Sequence, residues 1–196
     1  MPAVLKKYRF READLDLAEV QGFTCGPNRW DQEVAVWIKS RLGDNIVLED
    51  IKRYSIEVWL YRTEEGELVR FSSLGENTWS FPLPKGPKHR ISYIPFIGVH
   101  ERFQGEPRDA ARDDKFAYQI LDDLIEYTAE KTAARPDLYP VMGLSVDQQN
   151  TRVIRFYLNR DFVDAKSPRA DRTTGVVYTR MFLNIESLVE SYRQSS

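Results

Sequence analysis

The sequence predicts an α/β (α+β) domain, and three stretches carry that expectation. Ile91 to Val99 is a nearly continuous apolar run of strand length, the pattern of a strand covered on both faces. A polar stretch follows. Then Phe116, Ile120, Leu121, Leu124, Ile125 and Thr128 fall on one face of a helix that Asp113 or Asp114 can cap and Arg135-Pro136 ends. A second apolar strand, Val141 to Asp147, leads into another helical stretch from Asn150. The third signal is a hairpin, in which Ser55 to Arg62 and Glu67 to Ser73 alternate in polarity around the turn Glu64-Glu65-Gly66.

The remaining elements follow in order within one domain spanning 1–196. Ala3 to Phe10 reads as a strand, and Arg11 to Val20 as a short helix or a packed loop that ends at Gly22-Phe23-Thr24-Cys25-Gly26-Pro27. Trp30, Val34, Trp37, Ile38 and Leu42 recur at helical spacing after Asn28 and Asp31, with Gly43 where a helix stops. Gly75 to Pro87, with Trp79, Phe81 and its prolines, is expected as an irregular loop. Pro95 cannot donate to a ladder and Gly98 packs no side chain, so the central strand is expected to bulge or part there. After the Asn150 helix come Phe162 to Ala165, a loop from Lys166 to Gly175, a strand from Val176 to Phe182 and a C-terminal helix from Asn184 to Arg193.

Composition narrows the function classes. The chain has 196 residues, 42% hydrophobic and 30% charged, with a formal net charge of -2. It can bury a large core, and its charge argues against a general affinity for nucleic acid. No apolar run reaches membrane-spanning length and Met1 to Lys7 holds no signal-peptide core, so no membrane partner and a cytoplasmic location are expected. The one cysteine excludes an internal disulfide, and two histidines, His89 and His100, leave no zinc pattern and no expected metal. Cys25 paired with His100 as a nucleophile is the weaker reading; a buried or capping thiol is the stronger. A buried strand running into a helix N-terminus favours an anion there, and Arg108, Arg112 and Lys115 add positive charge.

Two segments resemble the GNAT superfamily of acyl-CoA-dependent N-acetyltransferases. Val99-His100-Glu101-Arg102-Phe103-Gln104-Gly105 is similar to the strand end and loop of that family, whose pattern is Arg/Gln-x-x-Gly-x-Gly/Ala running into a helix. Gln104 fits the first position and Ala117 the last, with an insert at roughly 107–114 and Lys115 where the family has its middle Gly. Downstream, Asn150, Phe156, Tyr157 and Phe162 match the family segment Asn-x-x-Ala-x-x-Phe/Leu-Tyr-x-x-x-Gly-Phe, with Ile154 near the small residue and Asp161 replacing the Gly that closes the helix.

The resemblance implies a mixed, mostly antiparallel sheet with two splayed parallel central strands and helices on both faces. It implies acetyl-CoA as co-substrate, its pantetheine and acetyl contacting the backbone of Ile97, Gly98 and Val99. The pyrophosphate would lie on Gln104-Gly105 and the amides of Lys115, Phe116 and Ala117, and Asn150 would hold the pantetheine arm. An amine then attacks the thioester, an amide of Ile97 or its neighbour stabilises the oxyanion, and Tyr157 protonates the departing thiolate as general acid. Glu57, Glu101, His100 or a water chain could each serve as base. Trp30 and Trp37 lie where the family's helices flank the acceptor, although aromatic residues at helical spacing more often face a core.

The acceptor stays open. Phe23-Thr24-Cys25-Gly26 before a helix is similar to the start of toxin-type GNAT proteins that acetylate aminoacyl-tRNA. A catalytically silent acyl-CoA-binding module and an interaction domain are the alternatives, and family members often form homodimers.

Overall fold

The computed structural model describes residues 6–9, 17–43, 56–81, 85–104, 107–109 and 112–195. The expected site residue Gly105 and most of the expected Arg11–Val20 element lie outside them. The elements begin with β1 (Lys6–Arg9), α1 (Leu17–Gly22), α2 (Arg29–Gly43), β2 (Glu57–Arg62), β3 (Leu68–Ser80), β4 (Lys88–Ile94) and β5 (Ile97–Val99). A single 3-10 turn, Glu101–Phe103, precedes β6 (Pro107–Asp109), β7 (Arg112–Lys115) and α3 (Phe116–Ala133). Then come β8 (Leu138–Asp147), α4 (Thr151–Leu158), β9 (Val163–Asp164), β10 (Arg169–Ala170), β11 (Val177–Asn184) and α5 (Glu186–Ser195).

The chain divides into two compact units, Met1–Gly75 with Phe96–Leu124 and Glu76–Pro95 with Ile125–Ser196. In the first, β1, β2, β3 and β5 pair antiparallel, and Gly66 (φ 93°) makes the β2–β3 turn. The first eight residues of β3 are all buried, as a strand covered on both faces requires. One core joins Val20, Phe23, Cys25, Ile38, Val58, Leu60, Leu68 and Phe71, with Val34, Trp37 and Phe96 against it. Asn28 caps α2, its Oδ1 accepting the Asp31 amide at 3.0 Å. On the other face of β3, buried Arg70 lies 4.3 Å over the Tyr61 ring and donates to Gln119 Oε1 at 3.3 Å, fastening the start of α3 to the strand.

In the second unit the strand order is β3, β4, β8, β11, β10, with β9 also on β11. β4 and β8 run parallel, and β11 returns antiparallel to β8. Trp79, Ile91 and Val141 form one cluster, with Phe81, Tyr93 and Phe182 packed on it. Gly143 is required here, since a Cβ would lie 2.7 Å from Ile91 Cδ1 and 3.1 Å from the Trp79 ring. A second cluster, Ala129, Ile185 and Val189, packs the end of α3 against α5, which Asn184 caps through the Glu186 amide at 2.8 Å.

Two expectations are corrected, the loop at 75–80 and the helix cap at Asp113 or Asp114, while the expected parting of the central strand falls at Pro95-Phe96. Residues 75–80, expected as loop, extend β3, because Trp79 is buried in the sheet; Phe81 N–H donates to Pro87 O at 2.9 Å, and 82–84 of the expected loop lie outside the described residues. The run Ile91–Val99 is two strands, interrupted at Pro95-Phe96, where the proline has no amide to give. The insert pairs with itself as the hairpin β6–β7. Asp113 and Asp114 are therefore strand residues, Lys115 ends β7, and α3 starts at Phe116.

Asp161 stands at φ 62° and closes α4, with the Phe162 and Arg160 amides both donating to Tyr157 O. An L-residue pays strain in this region that glycine avoids, less for Asp than for most. Asp161→Gly is expected to stabilise the fold by about 0.5 kcal/mol, after the loss to unfolded-chain entropy; urea unfolding checks it, and a destabilised variant contradicts it.

Candidate active site

In the first unit the site is built on β5. The bonds Ser73 N–H to Phe96 O (3.0 Å) and His100 N–H to Val69 O (2.8 Å) flank the ladder, and the register sets Gly98 opposite Phe71. In an antiparallel pair the bonding residues alternate, so Phe96, Gly98 and His100 face β3 while Ile97 and Val99 turn their peptide groups to the opposite edge. Val99 O is taken by the Gln104 side chain at 3.0 Å. The Ile97 N–H has no hydrogen-bond partner among the described residues. An oriented, unpartnered amide beside a strand break is the group an oxyanion or an extended amide chain can use.

The break is held in place. Ser73 Oγ accepts the Phe96 N–H at 2.9 Å and donates to Phe96 O at 2.8 Å, a link nothing in the sequence advertises. Phe96 also stacks on Trp37 at 4.8 Å, and Trp37 on Phe71 at 5.6 Å, so Trp37 belongs to the core. Trp30 is partly buried beneath the Arg29 guanidinium, 4.9 Å from its ring. A Cβ on Gly98 would collide with the Phe71 ring, which explains the glycine at the centre of β5.

Gln104, expected beneath a pyrophosphate, donates its side-chain amide to Cys25 O and Val99 O, tying the strand end to the segment before α2. Glu101 N–H donates to Thr24 O at 2.7 Å and reinforces this tie. The first-turn amides of α3, from Phe116, Ala117 and Tyr118, lack intrahelical partners by helix geometry. Lys115 contributes to the preceding strand and not to that turn.

Cys25 is 3% exposed, and its thiol is pushed up to about 12, by burial first and then by Asp31. A thiol so protonated is no nucleophile at neutral pH. It is expected to resist iodoacetamide at pH 8 in the native protein and to react on unfolding; native-state labelling at a free thiol's rate would contradict this.

In the second unit the site residues gather around the end of β8. Leu144 is the last β8 residue paired with β4; Ser145, Val146 and Asp147 keep only β11. Asn150 is buried and caps α4, its Oδ1 accepting the Val153 amide at 3.3 Å, so one of its polar groups is committed to the helix. Tyr157, 8% exposed, packs on Phe162 at 5.3 Å and on Phe156 at 5.0 Å. Burial, and secondarily Tyr93, raises its pKa well above the ordinary phenol range. The Tyr93 hydroxyl bonds Ser145, and burial raises its pKa too. Neither Tyr93 nor Ser145 belongs to a motif, and sequence offered no signal for them.

Among the described residues no group of three His, Cys, Asp or Glu could hold a metal, and no helix is long and apolar enough to cross a membrane.

By sequence the chain matches no family model and no curated protein. By structure it matches solved chains over nearly its whole length. A bacterial toxin superposes with a TM-score of 0.69 at 16% identity, covering 96% of this chain and 95% of the other. The AtaT toxin complexed with acetyl-methionyl-tRNAfMet gives 0.63 at 14% identity, covering 96% and 99%, and a mutant of that toxin has been solved with acetyl-CoA and its antitoxin. A candidate acetyltransferase of the GNAT family from Desulfovibrio desulfuricans gives 0.56 at 12% identity, covering 93% and 99%. The chain has the GNAT fold: a mixed sheet of parallel and antiparallel strands with helices.

Proposed function

We propose that the chain, over 1–196, is an acyl-CoA-dependent N-acetyltransferase that passes an acetyl group from acetyl-CoA to an amine. The observation that carries this is the Ile97 peptide group, turned to the edge of β5 that has no strand partner among the described residues, at a strand break in a GNAT fold. The pantetheine amides add there as a short pseudo-strand along Ile97 to Val99. The first-turn amides of α3 receive the pyrophosphate, with Ala117 at the family's small position.

In the reaction the neutral amine attacks the thioester carbonyl, and the Ile97 amide donates to the developing oxyanion. Collapse breaks the C–S bond, and Tyr157 gives its phenolic proton to the departing sulfur, leaving N-acetylated product and CoA thiol. A buried phenol is a weaker acid than one in water. A thiolate in the same desolvated surroundings is also a stronger base, so the transfer keeps its driving force. The amine's proton leaves to a base among Glu57, Glu101, His100 or water.

For the acceptor, the AtaT complex with acetyl-methionyl-tRNAfMet favours the amino group of an aminoacyl-tRNA. The test is release of CoA thiol from acetyl-CoA, with a panel of small amines in one arm and Met-tRNA in the other. Thiol release matched by acetylated Met-tRNA supports the tRNA reading, and release with small amines alone overturns it. No release in either arm, for protein that still binds acetyl-CoA, would make the chain a silent acyl-CoA-binding module.

A further inference from the structure

One arginine of the second unit has no role in the reaction above. Arg180 lies on β11 opposite Ser145 of β8, partly buried, with its guanidinium 5.3 Å over the Trp79 ring. Among the described residues no carboxylate pairs with it. Asp164 sits opposite Met181, on the other face of the sheet, and bonds Lys166 and Thr179. Asp147, on the same face as Arg180, accepts the Gln149 amide at 2.9 Å. A neighbour of the same sign acts on Arg180, and the Tyr93 hydroxyl acts against it. Arg169 of β10 faces Tyr178, diagonal to Arg180 across the strand pair, a spacing that long side chains span. Burial, and then Arg169, lowers the Arg180 pKa.

Two arginines at diagonal positions on one face, one of them partly buried and with no carboxylate partner among the described residues, make a cationic patch that an anion neutralises. We propose that Arg180, stacked over the Trp79 ring, and Arg169 form a receptor for a phosphate group carried by the acceptor. The choice of phosphate over a carboxylate follows from the charge: two cations match a dianion, and the fork of a guanidinium suits two phosphate oxygens. Trp79, 6.0 Å from Tyr93 and 6.4 Å from Phe81, gives the receptor an aromatic floor. The assignment rests on the acetyltransferase reading only for the word acceptor; the phosphate site stands on its own residues.

The probe is inorganic phosphate, titrated calorimetrically at pH 7.5 into the full chain, with and without saturating CoA and with acetate as the carboxylate control. One phosphate is expected to bind with millimolar affinity whether or not CoA is present, and more tightly than acetate. Arg180→Met is expected to weaken binding at least about tenfold and Arg169→Met less, while Arg180→Lys, which keeps the charge and lets the fold be checked, retains part of it. Equal phosphate binding by wild type and a folded Arg180→Met variant would overturn the site, as would a preference for acetate. Failure of acetyl-CoA to bind would strike the acetyltransferase reading and leave this result readable.

Discussion

Tyr157→Phe is expected to lower kcat for acetyl transfer by about 100-fold or more, while leaving the affinity for acetyl-CoA within about twofold of wild type. The asymmetry follows from where the hydroxyl acts. Phenylalanine fills the same space against Phe156 and Phe162, so packing survives, but the sulfur loses its proton donor. Because burial raises the Tyr157 pKa, the phenol stays protonated through the neutral and mildly alkaline range. The rate is therefore expected to show no alkaline loss from this group below about pH 10, the ordinary tyrosine value. A pH–rate profile of both proteins with one proven acceptor measures both effects. An unchanged kcat in the variant would remove Tyr157 from the chemistry.

The largest effect on stability is expected at Glu76. Its side chain, 7% exposed, meets Arg90 at 2.5 Å, Arg135 at 3.2 Å and Lys131 at 3.6 Å. These belong to β4 and the C-terminal end of α3, so one carboxylate at the start of the β3 segment in this unit ties β4 to the helix. Asp137 closes the outer side, bonding Arg135 at 2.7 Å and Arg90 at 3.0 Å, and the Arg135 guanidinium holds its pKa down at about 2. Removing the inner carboxylate leaves cations, Lys131 among the least exposed, without their shared counter-charge. Glu76→Ala is expected to cost about 3 kcal/mol, the scale of a broken buried pair, and to lower Tm by roughly 6–12 °C for a chain of this size. A shift below about 2 °C in thermal unfolding would show that Asp137 alone suffices.

The elements read from sequence were those whose pattern is local. β8, α4 and α5 appear where apolar periodicity and a capping Asn placed them, and Asp161 takes the left-handed closing position in place of glycine. The failures have physical reasons. Asp113 and Asp114 are good caps, yet the charged insert pairs as β6–β7 and moves the helix start to Phe116, an outcome no alternation of polarity announces. β3 continues past Ser73 because Trp79 is buried against Ile91 and Gly143, residues remote in sequence.

The site divides the same way. Ile97 to Val99 and Tyr157 were named from sequence only as positions of the family pattern, and Asn150 was legible as the residue before a helix, which it caps. Gln104 matched the loop pattern, but its side chain donates to two backbone carbonyls of the chain itself, an engagement that spacing cannot reveal. Ser73, Tyr93 and Arg180 acquire meaning only through pairing: Ser73 through Phe96, Tyr93 through Ser145, and Arg180 through Trp79 and Arg169.

The central claim is that this chain binds acetyl-CoA for transfer, and calorimetric titration of the folded protein with acetyl-CoA tests it most directly. One molecule is expected to bind per chain with micromolar affinity, equally in Tyr157→Phe. Absence of binding at millimolar acetyl-CoA would contradict the account and leave a GNAT fold put to another use.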